Sequence, residues 1–133
     1  MRERVKRTFF DFEKAIQNLK IAVEKAVDDL DIDGVIKRFE LCYELSWKAI
    51  RIYLEDLGII CKNPRECFKQ AKINGLIEDE ITWMEMIETR NRLVHEYSAE
   101  FSREIFEEIK TKYVKILEDL YKTLKERLSD ELA

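Results

Sequence analysis

Apolar residues recur along this chain in steps of three and four, the spacing that lays side chains on one face of an α-helix. The most regular run is Val5, Phe9, Phe12, Ile16, Leu19, Val23, Ala26 and Leu30. It predicts a first helix from about Arg2 to Leu30, with a seam close to the 3.5-residue repeat that packs helices nearly parallel. Asp31-Ile32-Asp33-Gly34 then reads as a short turn in which Asp31 or Asp33 caps a second helix, and Gly58 suits the left-handed position just past that helix's end.

Two apolar stripes share the second helix. Val35, Phe39, Cys42, Ser46, Ile50 (or Ala49), Tyr53 and Leu57 form one; Ile36, Tyr43, Trp47 and Leu54 form its neighbour. A helix apolar on more than one side packs against several helices or a second subunit, so this is the expected central element. Downstream, Asn63-Pro64-Arg65-Glu66 reads as N-cap, proline at the first helical position and a glutamate placed for a capping box, opening a short helix that Gly75 closes. A fourth helix is expected from near Glu78, with Ile81, Met84, Ile87 and Val94 inward, ending at or just beyond His95. Ser98 or Ser102 can cap the last helix, whose stripe is Phe106, Ile109, Tyr113, Ile116, Leu120 and Leu124.

Connections of a few residues make successive helices antiparallel neighbours. The expected fold is therefore all-α: an up-and-down four-helix bundle with one short extra helix, residues 1–133 forming a single domain. Composition supports this, since 46% hydrophobic and 39% charged residues with only three Gly and one Pro suit amphipathic helices with ionic outer faces. No internal repeat interrupts it.

The remaining bulk properties exclude some classes of function. The start M-R-E-R-V-K-R has no apolar run behind it, and no stretch approaches the ~20 apolar residues of a membrane span, so a soluble, cytoplasmic protein is expected. A net charge of -4 argues against broad electrostatic adhesion to nucleic acid and confines any RNA contact to a patch. Cys42, Cys61 and Cys67 are odd in number and lack C-x-x-C spacing, so they read as reduced thiols, with no metal and no cofactor called for.

Chemistry concentrates in R-N-R-L-V-H-E-Y, Arg90 to Tyr97, which holds the chain's one histidine. Neutral imidazole can take a proton from a hydroxyl and its protonated form can return one, while an arginine fork stabilises charge on phosphate oxygens. Together they suit metal-free RNA cleavage, in which a ribose 2′-OH attacks the adjacent phosphate, His95 assists proton transfer and Arg90 stabilises the transition state. Asn91 can orient the phosphate or the imidazole, and Arg92 can attract phosphate. At about 100° per residue, Asn91 and His95 lie nearly in line, but Arg90 sits about 140° from His95. Convergence then requires either a loosened helix end or a symmetric homodimer that brings arginine and histidine of two subunits together; the dimer is the expectation. Plainer roles stand beside these: a histidine at a helix C-terminus as a dipole-stabilised cap, Arg92 as a solvated charge, Tyr97 covering the bundle end, Trp47 and Trp83 as core, and Lys37, Arg38, Lys48 and Arg51 as a solvated face.

Three segments, F-E-L-C-Y-E-L-S-W-K (Phe39 to Lys48), N-P-R-E-C-F-K-Q-A (Asn63 to Ala71) and I-T-W-M-E-M-I-E-T-R-N-R-L-V-H-E-Y (Ile81 to Tyr97), resemble the nucleotidyltransferase substrate-binding proteins of the HEPN superfamily. The resemblance spans most of the chain, and R-N-x3-H-x-Y is its most specific part. It implies that Arg90 and His95 are a ribonuclease pair, Asn91 the polar residue following the arginine, and Tyr97 the phenol of a toxin motif. It further implies a partner, a minimal nucleotidyltransferase acting as antitoxin, in some pairs by transferring AMP to that tyrosine. The family's older description implies an alternative, a non-catalytic subunit that binds nucleotide or substrate for its partner's active site. A structural helical dimer without a ligand is the third possibility, because amphipathic helices need no site to fold.

Overall fold

The computed structural model describes residues 2–132, with side chains over 3–129. Those residues form helices and connections, with no strand among them. Helix α1 spans Arg2–Lys25, α2 Asp29–Asp56, α3 Pro64–Ile73, α4 Glu80–Arg92 and α5 Ala99–Glu108; a π-helical turn, Ile109–Tyr113, then carries α5 directly into α6, Val114–Leu132. The expected helical bundle is present, with three long rods (α1, α2 and the α5–α6 run) and two short helices. The last rod lies along both α1 and α2, while α3 rests on α2, and α4 on α3 and the π-turn. Helix α2 is central, as its two apolar stripes require.

The first turn lies earlier than the apolar pattern predicts. Asp28, not Asp31 or Asp33, is the N-cap of α2: its carboxylate accepts from the Asp31 backbone N–H, and the Asp31 carboxylate accepts in return from Val27 N–H at 2.9 Å. This reciprocal pair satisfies two end-group donors and stops α1 at Lys25. Gly34 falls inside α2, and Leu30, counted into the α1 seam, is 78% exposed.

Both glycine stops follow from backbone hydrogen bonding. Gly58 has φ of +80° and Gly75 φ of +75°, and in each case the next residue's N–H reaches back over the turn, Ile59 to Leu54 O at 2.9 Å and Leu76 to Ala71 O at 2.8 Å. Glycine enters that left-handed position without a Cβ penalty. Asn63 caps α3 by accepting from Glu66 N–H at 2.9 Å, and the Glu66 carboxylate accepts from Lys62 N–H at 2.9 Å. Between these stops the cysteines differ from expectation: Cys61 and Cys67 are joined by a disulfide, with Cα atoms 5.1 Å apart. The Asn63-Pro64 turn folds the α2–α3 connection back onto the first turn of α3, a closeness that C-x5-C spacing does not announce. Cys42 alone is free, and burial pushes its thiol up to about 12.

Helix α4 is rotated from its predicted face. Ile87 is buried as expected and Met84 half-buried, but Trp83, Met86 and Thr89 share the buried face, whereas Ile81 is 73% exposed and Val94, 46% exposed, lies outside the helix. The segment I-T-W-M-E-M-I carries two overlapping series, and the one containing tryptophan prevails because that ring removes most apolar area from water. Trp83 packs on Phe68 of α3 with ring centroids 4.7 Å apart. In the last helix Ile109, Tyr113, Leu120 and Leu124 are buried as the stripe predicts; the π-turn inserts one extra residue and Leu117 takes the buried place expected of Ile116, which is half-buried like Phe106.

Candidate functional site

The Arg90–Tyr97 segment straddles the end of α4. Asp79 caps the helix start, and Arg92 is its last helical residue, so His95 lies beyond it. Val94 N–H bonds to Asn91 O at 3.2 Å and His95 N–H to Arg92 O at 3.0 Å, a tightening to i→i+3 bonds that ends the α-helical geometry. The alignment of Asn91 with His95 expected on a regular helix therefore does not apply.

Each motif side chain has a distinct setting. Arg90 is half-buried and its charge acts on the Tyr43 phenol of α2. Burial pushes that phenol up to about 12 and Glu44 adds to the rise, while Arg90 and Arg65 oppose it. Asn91 and His95 are exposed, and the side chains of Arg90, Asn91 and His95 make no hydrogen bond or ion pair among the described residues. Tyr97 is 84% exposed, its hydroxyl donating to Val94 O at 2.8 Å. Arg92 is engaged structurally: it pairs with Glu96 at 3.3 Å and its guanidinium lies 4.6 Å from the Phe101 ring centroid, holding the turn against α5. Ser98 then caps α5 through Phe101 N–H.

The structure thus gathers Arg90, Asn91, His95 and Tyr97 at one end of α4, without closing Arg90 and His95 into contact within one chain. Trp83 is core as expected, and Trp47 is half-buried under the Arg51 guanidinium, 5.1 Å from its ring centroid, so Arg51 is not simply solvated. Sequence reasoning misses two neighbours of the site. Tyr43 carries only an apolar-stripe signal; Glu96 is legible as the i,i+4 partner of Arg92. Among the described residues no three His, Cys, Asp or Glu side chains converge as a metal site, and no helix is long and apolar enough to cross a membrane.

The profile of the family described as nucleotidyltransferase substrate binding protein like matches residues 7–126. The chain belongs to that family. A crystal structure of a protein from Thermus thermophilus is similar to it, with 29% identity and a TM-score of 0.79 over 86% of this chain and 98% of that one. No curated protein matches significantly. In this nucleotidyltransferase substrate binding protein like chain, the whole R-N-x3-H-x-Y segment falls inside the matched region.

Proposed function

We propose that this chain is the helical subunit of a two-component system with a minimal nucleotidyltransferase, and that its R-N-x3-H-x-Y end is a HEPN-type, metal-independent endoribonuclease site that the partner silences. One observation carries the reading: the arginine, asparagine and histidine best suited to phosphate chemistry stand at one helix end, their side chains making no hydrogen bond or ion pair among the described residues. Polar groups left free in this way are available to a substrate.

The division of labour follows from ordinary acid–base chemistry. His95 takes the proton from the ribose 2′-OH, the oxygen attacks phosphorus, and Arg90 stabilises the charge accumulating on the equatorial oxygens. The leaving 5′-oxygen then needs a proton. In a two-fold homodimer with the α4 ends adjacent, a second His95 supplies it, and Arg90 of one subunit can face His95 of the other. The products carry a 2′,3′-cyclic phosphate and a 5′-hydroxyl.

Arg90, on α4, and His95, in the following turn, form no hydrogen bond with each other among the described residues, which favours a second reading, a non-catalytic subunit presenting nucleotide or substrate to the partner enzyme. Incubating the purified chain alone with RNA in chelator separates the two. Cleavage that disappears with His95→Ala supports the ribonuclease; intact RNA at every protein concentration supports the binding subunit.

A further inference from the structure

A well-formed cavity lies away from the motif. About 560 Å³ in volume, it lies between the α3–α4 connection with the start of α4 on one side and the π-turn with α6 on the other. That is within the range of small-molecule pockets. From Thr82, in its wall, to Arg90 is about 12 Å along α4 at the helical rise per residue, so the cavity and the motif are separate places.

Its lining has polarity. Leu76, Ile77, Ile116 and Leu120 supply apolar surface. Lys115 and Lys122 come from α6, seven residues apart and so on one face of it, and Lys112 comes from the π-turn just before it. The two acidic residues opposite, Glu78 and Asp79, come from the connection. Asp79 is occupied, accepting from both the backbone N–H and the hydroxyl of Thr82, and these bonds hold its carboxyl below the usual range. Glu78 has no ion-pair partner among the described residues, and neither has Lys122. Lys115 is held only by an exposed i,i+4 pair with Asp119 at 3.2 Å, and Lys112 by Glu85 at 3.3 Å, pairs weak enough to yield to a better anion. The π-turn supplies Thr111 and Lys112 to the wall, and such turns recur at functional sites.

We infer that this cavity binds a nucleoside monophosphate, with the phosphate against Lys112, Lys115 and Lys122, the base along Ile77 and Ile116, and a sugar hydroxyl or base amine donating to Glu78. One cationic wall, one free carboxylate opposite and apolar surface between match a molecule with an anionic end and a donor end. The lining carries three lysines against Glu78, Asp79 and Asp119. That balance suits a monophosphate better than a triphosphate. The inference stands whether or not the motif end cleaves RNA.

Calorimetric titration of the full chain with AMP, adenosine and inorganic phosphate tests it. AMP is expected to bind once per chain, with adenosine and phosphate each weaker by about tenfold or more. The lysines are exposed, so Lys112→Gln/Lys115→Gln/Lys122→Gln should keep its helical circular dichroism and lose about tenfold or more in AMP affinity. His95→Ala should bind AMP as the wild type does. No saturable AMP binding at millimolar concentration, equal affinity for adenosine, undiminished binding in the triple-lysine variant, or loss confined to His95→Ala would each overturn the assignment.

Discussion

Thr89 of α4 and Tyr113 of the π-turn share a buried hydroxyl-to-hydroxyl hydrogen bond of 2.8 Å, one residue before Arg90. The Tyr113 ring also stacks on Phe39 of α2, with centroids 5.3 Å apart, so Tyr113 ties α4 to the α5–α6 rod and, through its ring, to α2. Removing one partner leaves the other's hydroxyl buried and unpaired. Tyr113→Phe or Thr89→Val should therefore each cost about 1–3 kcal/mol in urea unfolding. The double variant deletes both polar atoms and should cost less than the sum of the two. Strict additivity would mean that the two hydroxyls do not depend on each other.

If the motif end cleaves RNA, Arg90→Ala and His95→Ala should each lower the single-turnover rate roughly a hundred- to ten-thousandfold, the usual loss for an acid–base group or a transition-state donor. Asn91→Ala, removing an orienting group, should cost less than either. Because Asn91 and His95 are exposed, their variants should melt close to the wild type. Mixing Arg90→Ala with His95→Ala protein probes the assembly. Heterodimers with one intact composite site should recover part of the activity; a mixture as inert as its components would count against sites shared between subunits.

Alkaline pH should destabilise the fold through α2. The Tyr43 phenol is raised from 10.0 to about 12 and the Cys42 thiol from 9.0 to about 12, in both cases chiefly by burial. A folded-state value above the unfolded one means that the unfolded chain loses its proton first. The stabilising difference is complete below the unfolded values and is lost as pH rises toward 12. Tyr113 shifts in the same direction, again mainly through burial. Denaturant midpoints measured from pH 8 upward should fall, and Tyr43→Phe should make the fall shallower without abolishing it. Since Arg90 lowers the Tyr43 value, Arg90→Ala should move the Tyr43 phenolate transition to still higher pH, visible in ultraviolet absorbance; an unchanged transition would place the guanidinium away from the phenol.

How much of this is readable in the sequence depends on whether local or distant partners decide each feature. Asn63, Gly58, Gly75 and Ser98 are legible because caps and left-handed stops act within a few residues. The start of α2 is misplaced for a local reason too: aspartates crowd the stretch from Asp28 to Asp33, and only the reciprocal bonds of Asp28 and Asp31 distinguish the true cap. Two tertiary features are hidden. The rotation of α4 depends on Trp83 finding Phe68, and the π-turn on Tyr113 finding Thr89 and Phe39. At the site, residue types and their clustering are legible, but the tightened turn that carries His95 off the helix and the influence of the Arg90 charge on the Tyr43 phenol are not.

The disulfide supplies a stability test. Cys61 and Cys67 lie six residues apart, and a loop that short restricts the unfolded chain by about 2 kcal/mol in the chain-entropy treatment. Cys61→Ala/Cys67→Ala should lower the denaturant midpoint accordingly, with the α2–α3 connection exchanging amide hydrogens fastest. Both cysteines are buried, so a reductant should act slowly on the native protein and quickly in mid-transition denaturant. Equal midpoints for oxidised and reduced wild type would remove the bridge from the account of stability.

If a nucleotidyltransferase partner silences the motif end, AMP transfer makes the sharpest demand on geometry. In AMP transfer the Tyr97 oxygen attacks the α-phosphorus of ATP, the bond to the β-phosphate breaks, pyrophosphate leaves with Mg²⁺, and the phenolic proton passes to a base of the nucleotidyltransferase. Tyr97 is open to such an approach, being 84% exposed with only the Val94 carbonyl bonded to its hydroxyl. Two residues from His95, an attached AMP would add bulk and negative charge where an RNA phosphate would enter if the motif end cleaves RNA. Tyr97→Phe should keep most of the cleavage activity, since the phenol transfers no proton in that scheme, yet resist silencing by partner plus ATP. Intact-mass measurement after incubation with the partner, Mg²⁺ and ATP should show one AMP added to the wild type and none to Tyr97→Phe. An adduct that persists in Tyr97→Phe would assign the modification elsewhere, and silencing without any adduct would leave steric covering of the α4 end as the partner's mode of action.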